Sequence, residues 1–194
     1  MALTDVMPLV LRFPPGLMMS PDEFFEFSAA NRDVKMELTS RGEVVIVPAA
    51  FESSRAGLRI GAQVLAWADV HGGEALGADM GFTLPNGAVR SPDAAWVAPH
   101  RVAGLTADER RRFLRFAPDF VAEVRSAFDR LAAQQDKMQE YMEQGTQLGL
   151  LLDPETRNVY VYRPGREMEV LHDPESVPAD PVLPGLKLIL RKVW

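Results

Sequence analysis

The amino-acid sequence predicts a mixed α/β fold, with a mixed central β-sheet flanked by helices on both faces. Three observations carry that expectation. Strand-like runs outnumber helical stretches, the two kinds interleave along the chain, and no internal repeat or low-complexity tract breaks the succession. The 194 residues fall within the roughly 100–200 of one folded domain. One domain over 1–194 is expected, with 1–19 as an N-terminal extension and about 165–194 as a loop-rich C-terminal segment too short for its own core.

The elements follow in order. Ser20-Pro21-Asp22-Glu23 opens a helix, because Ser at the N-cap, Pro at the first helical position and Glu three residues on form a capping box. Phe24, Phe25 and Phe27 give that helix its packing surface. Met36-Glu37-Leu38-Thr39, the turn Ser40-Arg41-Gly42 and the β-branched run Val44-Val45-Ile46-Val47 predict a β-hairpin. Leu58, Ala62, Leu65 and Ala66 recur at helical spacing over 53–69, and Gly72-Gly73 marks where that second helix ends. Residues 81–84 and 91–97, with the turn Pro85-Asn86-Gly87 between them, predict two further strands. Thr106-Ala107-Asp108-Glu109 repeats the capping box and starts a short basic helix through Arg110, Arg111, Arg112 and Arg115, which Pro118-Asp119 stops. An apolar strand over 119–124 leads to a helix over 127–144 that Ser126 and Asp129 cap and Gly145 terminates. Strands over 148–152 and 158–162 flank the turn Asp153-Pro154-Glu155-Thr156, and a last strand covers 186–190.

Composition removes several classes of function. With 47% hydrophobic and 25% charged residues the profile is that of a globular protein, and no apolar run reaches the ~20 residues of a bilayer span. Residues 1–19 lack a basic start and a small-x-small cleavage site, so no signal peptide is read there. Cysteine is absent, which excludes disulfides, thiolate zinc sites and Cys nucleophiles and suits a cytoplasmic location. His71, His100 and His172 are scattered and supply neither a metal cage nor a Ser-His-Asp triad. A net charge of −6 argues against polyanion binding by bulk charge. The four arginines near Thr106 read as a solvated face with local ion pairs, and Trp67, Trp96, Met138 and Met142 as core.

Carboxylates and lysine remain as candidates for chemistry. In Phe120-Val121-Ala122-Glu123-Val124 alternate side chains share a face, so Glu123 lies with Val121 among apolar neighbours. An unpaired buried carboxylate costs several kcal/mol and calls for a cation, a metal or a strong donor. Asp93 likewise begins the apolar strand Ala94-Ala95-Trp96-Val97, directly after Pro92. Two such carboxylates on separate strands can share an oxygen-lined divalent-ion site. The alternative from the residues alone is that Asp93 caps a turn and Glu123 pairs with Arg125 or Arg130.

Pro92-Asp93, Glu123 within PDFVAEVRS, then DRLAAQQDKMQEYMEQG and LGLLLDPETRNVYVYRPG resemble the Uma-two family of restriction-endonuclease-like proteins in the PD-(D/E)xK nuclease superfamily. The MEL, GEVVIVP and VLPGLKL segments also fit, so the likeness covers most of the chain. It implies a restriction-endonuclease-like fold and Mg²⁺- or Mn²⁺-dependent hydrolysis of phosphodiester bonds, with DNA as partner. Arg125 stands two residues after Glu123, where the motif lysine would be, and Lys137 on the following helix takes that place. By the same resemblance Asp93, Glu123 and the main-chain carbonyl of Val124 hold the ion, Lys137 activates water or neutralises charge, and Glu37 is an outer ligand or positions Lys137. Gln135 and Arg125 are assigned to substrate. On the helix Lys137 lies about 100° from the stripe of Leu131, Met138, Tyr141 and Met142, a rim position from which it either curls over the stripe or points into water. The family's histidine at the start of the second helix has no counterpart at Ser53-Ser54-Arg55. A homo-oligomer, in the simplest case a dimer, suits a small nuclease that must cut two strands. The other reading is a catalytically inert scaffold of the same fold that binds a protein partner or nucleic acid.

Overall fold

A computed structural model describes residues 8–48 and 50–194; residues 1–7 of the expected extension lie outside the described residues. The described chain runs β1 (Leu9–Leu11), α1 (Pro21–Ala30), β2 (Met36–Leu38), β3 (Val44–Ile46), α2 (Phe51–His71), β4 (Glu74–Gly77), β5 (Phe82–Thr83), β6 (Val89–Arg90), β7 (Ala94–Val97) and α3 (Pro99–Ala103). It continues through β8 (Phe120–Val124), α4 (Leu131–Glu143), β9 (Leu148–Asp153), β10 (Asn158–Tyr162), β11 (Glu169–His172), β12 (Ser176–Pro178) and β13 (Lys187–Ile189).

These strands form a six-stranded mixed sheet ordered β11-β10-β9-β8-β7-β4, a five-stranded sheet ordered β1-β3-β2-β6-β5, and the two-stranded β12-β13. Only β8 and β9 run parallel in the large sheet, and a parallel pair needs a crossover, which α4 supplies. Helices cover both faces of that sheet, as the interleaved pattern predicts. Ala56, Ile60, Val64 and Ala68 of α2, spaced by four, pack on Trp96, Phe120, Ala122 and Leu150. On the opposite face Met138, Tyr141 and Met142 of α4 meet Ala95, Val97, Val121 and Leu151. Burying side chains as large as Phe120 or Leu150 stabilises the fold by roughly 1.5–3 kcal/mol each.

Several expectations need correction. The expected central sheet is the six-stranded one, but a separate five-stranded sheet accompanies it, because the chain changes sheet at Ser91-Pro92-Asp93: β5 pairs with β6, and the next residues enter the large sheet as β7. Pro92 has no N–H with which to continue a ladder, so the β6 strand stops there. The N-terminal extension contributes β1, paired with β3. The Thr106 capping box forms, with Glu109 accepting from the Thr106 N–H at 2.8 Å, but only a single 3₁₀ turn follows it. Arg112 binds Glu26 and Arg115 binds Asp22 of α1, so the ion pairs expected of that cluster form, but with a distant helix and not locally. Ser126 and Asp129 bond to each other, and α4 starts beyond them with no side-chain cap. The segment from about 165 has more strand than the single one expected over 186–190. It holds β11, β12 and β13, and Leu183, Leu188 and Val193 join the core under α2, where Gln63 exchanges hydrogen bonds with the Ile189 backbone. Among the described residues no helix is long and apolar enough to cross a membrane.

The end of α2 sets the entry into β4. Gly72 and Gly73 take φ of 88° and 83°, a region other residues enter at a cost. A Cβ on Gly73 would also lie 2.5 Å from Trp96 Nε1 and 2.5 Å from the Val97 carbonyl. Gly73→Ala is therefore expected to destabilise the protein by at least about 2 kcal/mol, read as a lower midpoint in urea unfolding.

Candidate functional site

Four elements deliver their polar side chains to one place. Glu37 is the middle residue of β2, and β2 pairs with β6 only through Leu38 and Val89. Asp93 sits where the chain leaves the smaller sheet for the larger one. In β8, Phe120, Ala122 and Val124 face α2 while Val121 faces α4; alternation therefore turns Glu123 towards α4, as the strand pattern predicts. The antiparallel register of Ala94 with Ala122 brings Asp93 beside Glu123. Lys137 curls from the rim of α4 over its apolar stripe, the first of the two orientations open to it.

Lys137 Nζ lies 2.7 Å from Glu123 Oε1 and 2.8 Å from Glu37 Oε1. Tyr141, one helical turn later, donates its hydroxyl to the same Glu123 oxygen at 3.1 Å. Glu37 also accepts from the Ser91 N–H at 3.0 Å and from Arg90 at 3.2 Å. Asp93 Oδ2 accepts the Val124 N–H at 2.8 Å, and Lys35 Nζ stands 3.6 Å from Asp93 Oδ1. Glu37 and Glu123 are only 3% and 5% exposed, so these partners decide their charge. Glycine at position 57 of α2 gives Asp93 its room, since a Cβ there would come within 3.1 Å of Asp93 Cβ.

The two buried glutamates are pushed in opposite directions. Burial raises the pKa of Glu37, but the adjacent Lys137 and Arg90 charges outweigh it and hold the group down at about 2. Burial also raises Glu123; Lys137 opposes it, Asp93 and Glu37 add to it, and the group ends at about 7. Burial lowers Lys137, yet its two carboxylates more than compensate and keep it a firm cation. Burial and the neighbouring Glu123 raise the Tyr141 phenol well above its usual value, so it remains a donor.

The site opens on a cavity of about 1280 Å³ whose wall includes Glu37, Arg90, Asp93, Glu123, Val124 and Lys137. Ser53 and Ser54, in the first turn of α2, also line it. Gln135 and Arg125 do not. The Gln135 amide lies on Met168 Sδ at 3.8 Å, and Arg125 is engaged by Asp153 at 2.9 Å and Glu155 at 3.2 Å. Glu123 thus has Lys137 for its cation, not Arg125 or Arg130. Arg90, Lys35 and Glu140 are not singled out by the sequence, and Tyr141 is marked there only as part of the apolar stripe of α4. The traces of them are short-range: Arg90 stands three residues before Asp93, and Glu140 and Tyr141 follow Lys137 at helical spacings of three and four.

Among the described residues no group of three or more His, Asp or Glu side chains is arranged to hold a metal ion. The donor set that is present suits a hard cation that keeps several waters: a carboxylate just before β7, another on the neighbouring β8, and a backbone carbonyl. In extended backbone the N–H and C=O of one residue point the same way, which turns the Val124 carbonyl towards Asp93. The mutual repulsion that helps raise the Glu123 pKa is also what a divalent ion would relieve.

A search of curated proteins finds no match to this chain. Among solved structures, the crystal structure of a "putative nuclease belonging to DUF820" from Anabaena variabilis aligns with a TM-score of 0.74 at 20% identity, over 90% of this chain and 97% of that one. At that identity the likeness shows a shared fold. A family model described as "putative restriction endonuclease" matches residues 21–191, and the chain belongs to that family, Uma2.

Proposed function

We propose that the protein is a Mg²⁺- or Mn²⁺-dependent nuclease of the PD-(D/E)xK type that hydrolyses phosphodiester bonds in DNA. The reading rests above all on one observation: a lysine bonded to Glu37 and Glu123 beside Asp93, all on the wall of one cavity. The family description and the nuclease named in the structural match support the same class of reaction.

Asp93, Glu123 and the Val124 carbonyl would hold the ion. Bound there, it would polarise the phosphodiester and lower the pKa of a coordinated water. Lys137 and Tyr141 both bond Glu123 Oε1, which leaves Oε2 for the cation. Lys137 carries a positive charge next to the reacting group, where it stabilises negative charge that builds on the phosphoryl oxygens. Glu37, kept ionised by Lys137 and Arg90, fixes the direction of that ammonium. Lys35 and Arg130 on the cavity wall offer further cations to a phosphate backbone, a local patch in a chain of net charge −6.

The test is Mn²⁺ binding by calorimetry alongside cleavage of duplex DNA. Wild type is expected to bind the ion and cut. Asp93→Asn should bind Mn²⁺ at least about tenfold more weakly and lose activity in step. Cleavage that persists unchanged in Asp93→Asn and Glu123→Gln would come from a contaminant and defeat the proposal. Absence of both binding and cleavage in the wild type would leave the fold as an inert scaffold.

A further inference from the structure

We infer that Arg90 is a positioning residue, which captures Glu140 and so keeps Lys137 directed at Glu37 and Glu123. The inference rests on the reading of Lys137 as a working group, and nothing in the family description assigns a role to Arg90 or Glu140.

The geometry supplies the argument. Arg90, at the end of β6, has a side chain only 12% exposed and binds two carboxylates at once. Its Nε lies 2.6 Å from Glu140 Oε2 and its Nη1 3.2 Å from Glu37 Oε2. Glu140 is three residues beyond Lys137 on α4, the spacing at which side chains on one helix pair with each other. A lysine and a glutamate so placed would bond locally, on the outer side of the helix. Instead Lys137 reaches to two strands of different sheets. The guanidinium explains the choice, because its Nε engages and neutralises Glu140 while its Nη1 holds Glu37. Asn86 also donates to Glu140, at 2.9 Å, but as a neutral donor it leaves the carboxylate charge in place. Without Arg90, Glu140 becomes a half-buried anion within reach of the ammonium, and Glu37 loses the partner of its second oxygen.

A charge that merely stabilises the fold and a charge that aims Lys137 differ in one respect: only the second is made dispensable by deleting Glu140. The experiment therefore compares wild type, Arg90→Gln, Arg90→Lys and the double variant Arg90→Gln/Glu140→Gln. The first readout is the rate at which acetic anhydride labels Lys137, followed by peptide mass spectrometry on the folded protein; it needs no cleavage. Labelling should be slow in wild type and about tenfold faster in Arg90→Gln. It should be intermediate in Arg90→Lys and return towards wild type in the double variant. The second readout is DNA cleavage, in which Arg90→Gln should lower kcat with little change in KM and the double variant should regain most of it. Labelling of Lys137 at the wild-type rate in both Arg90 single variants, or equally fast in Arg90→Gln and the double variant, overturns the inference. If no form of the protein cleaves DNA, the nuclease reading fails on its own, and labelling still decides what Arg90 does.

Discussion

Lys137→Met is expected to slow metal-dependent DNA cleavage by roughly 10²–10³-fold at saturating substrate, with KM nearly unchanged and Mn²⁺ binding no weaker than in wild type. The reason lies in what Lys137 touches. Its ammonium is shared by Glu37 and Glu123, so it stands beside the proposed ion and competes with it for the Glu123 carboxylate. Removing that competitor cannot weaken the ion, whereas removing the charge strips stabilisation from the phosphoryl oxygens. The fold should survive. Glu37 keeps Arg90 and the Ser91 N–H, and Glu123, already displaced upward, can take up a proton and keep its bond from Tyr141. Lys137→Arg should rescue poorly, because a planar guanidinium cannot occupy the small space between two carboxylates as an ammonium does. A Lys137→Met protein that cuts at the wild-type rate would reduce this lysine to a structural ion-pair partner.

How much of this was legible in the sequence depends on the range of the interaction that decides each feature. Strand-like patterning marked β8, β9 and β10 of the large sheet but not β11, and it put Glu123 on the face of Val121, since strand faces follow from local geometry. β4 went unread: Glu74-Ala75-Leu76-Gly77 is short, holds two small residues and becomes a strand only by pairing with β7. The separate five-stranded sheet was equally hidden, because Pro92 signals an interruption but not which sheet the chain joins next. Lys137 was ambiguous on its helix because its orientation is settled by Glu37, 100 residues away in sequence. Gln135 was assigned to the site by resemblance alone, and two residues along an α-helix is a turn of about 200°, which puts it on the opposite side from Lys137. Arg90 had no periodic signal at all, as a two-residue strand is too short to show one.

The opposed pKa displacements of the two glutamates make stability peak on the acid side of neutrality. Glu37, ordinarily 4.5, sits at about 2 in the folded protein. A lowered folded value means that its contribution is complete above pH 4.5 and is lost as pH falls towards 2. Glu123 is raised from 4.5 to about 7, so its contribution is complete below 4.5 and is lost as pH rises through 7. Both carboxylates share Lys137, so the two displacements act together on stability. Urea unfolding between pH 3 and 8 should therefore show an optimum near pH 4.5 to 5, with loss on both sides. Glu123→Gln should flatten the neutral limb, and Glu37→Gln the acid limb, although the latter also lowers the whole curve by about 3–5 kcal/mol because Lys137 and Arg90 lose their shared carboxylate. Manganese provides the sharper test. An ion held by Asp93 and Glu123 requires Glu123 deprotonated, so Mn²⁺ should raise stability at pH 8 far more than at pH 5, and its affinity should fall as pH drops below about 7. Stabilisation by Mn²⁺ that is the same at both pH values, or that survives in Glu123→Gln, would place the ion somewhere other than beside this carboxylate.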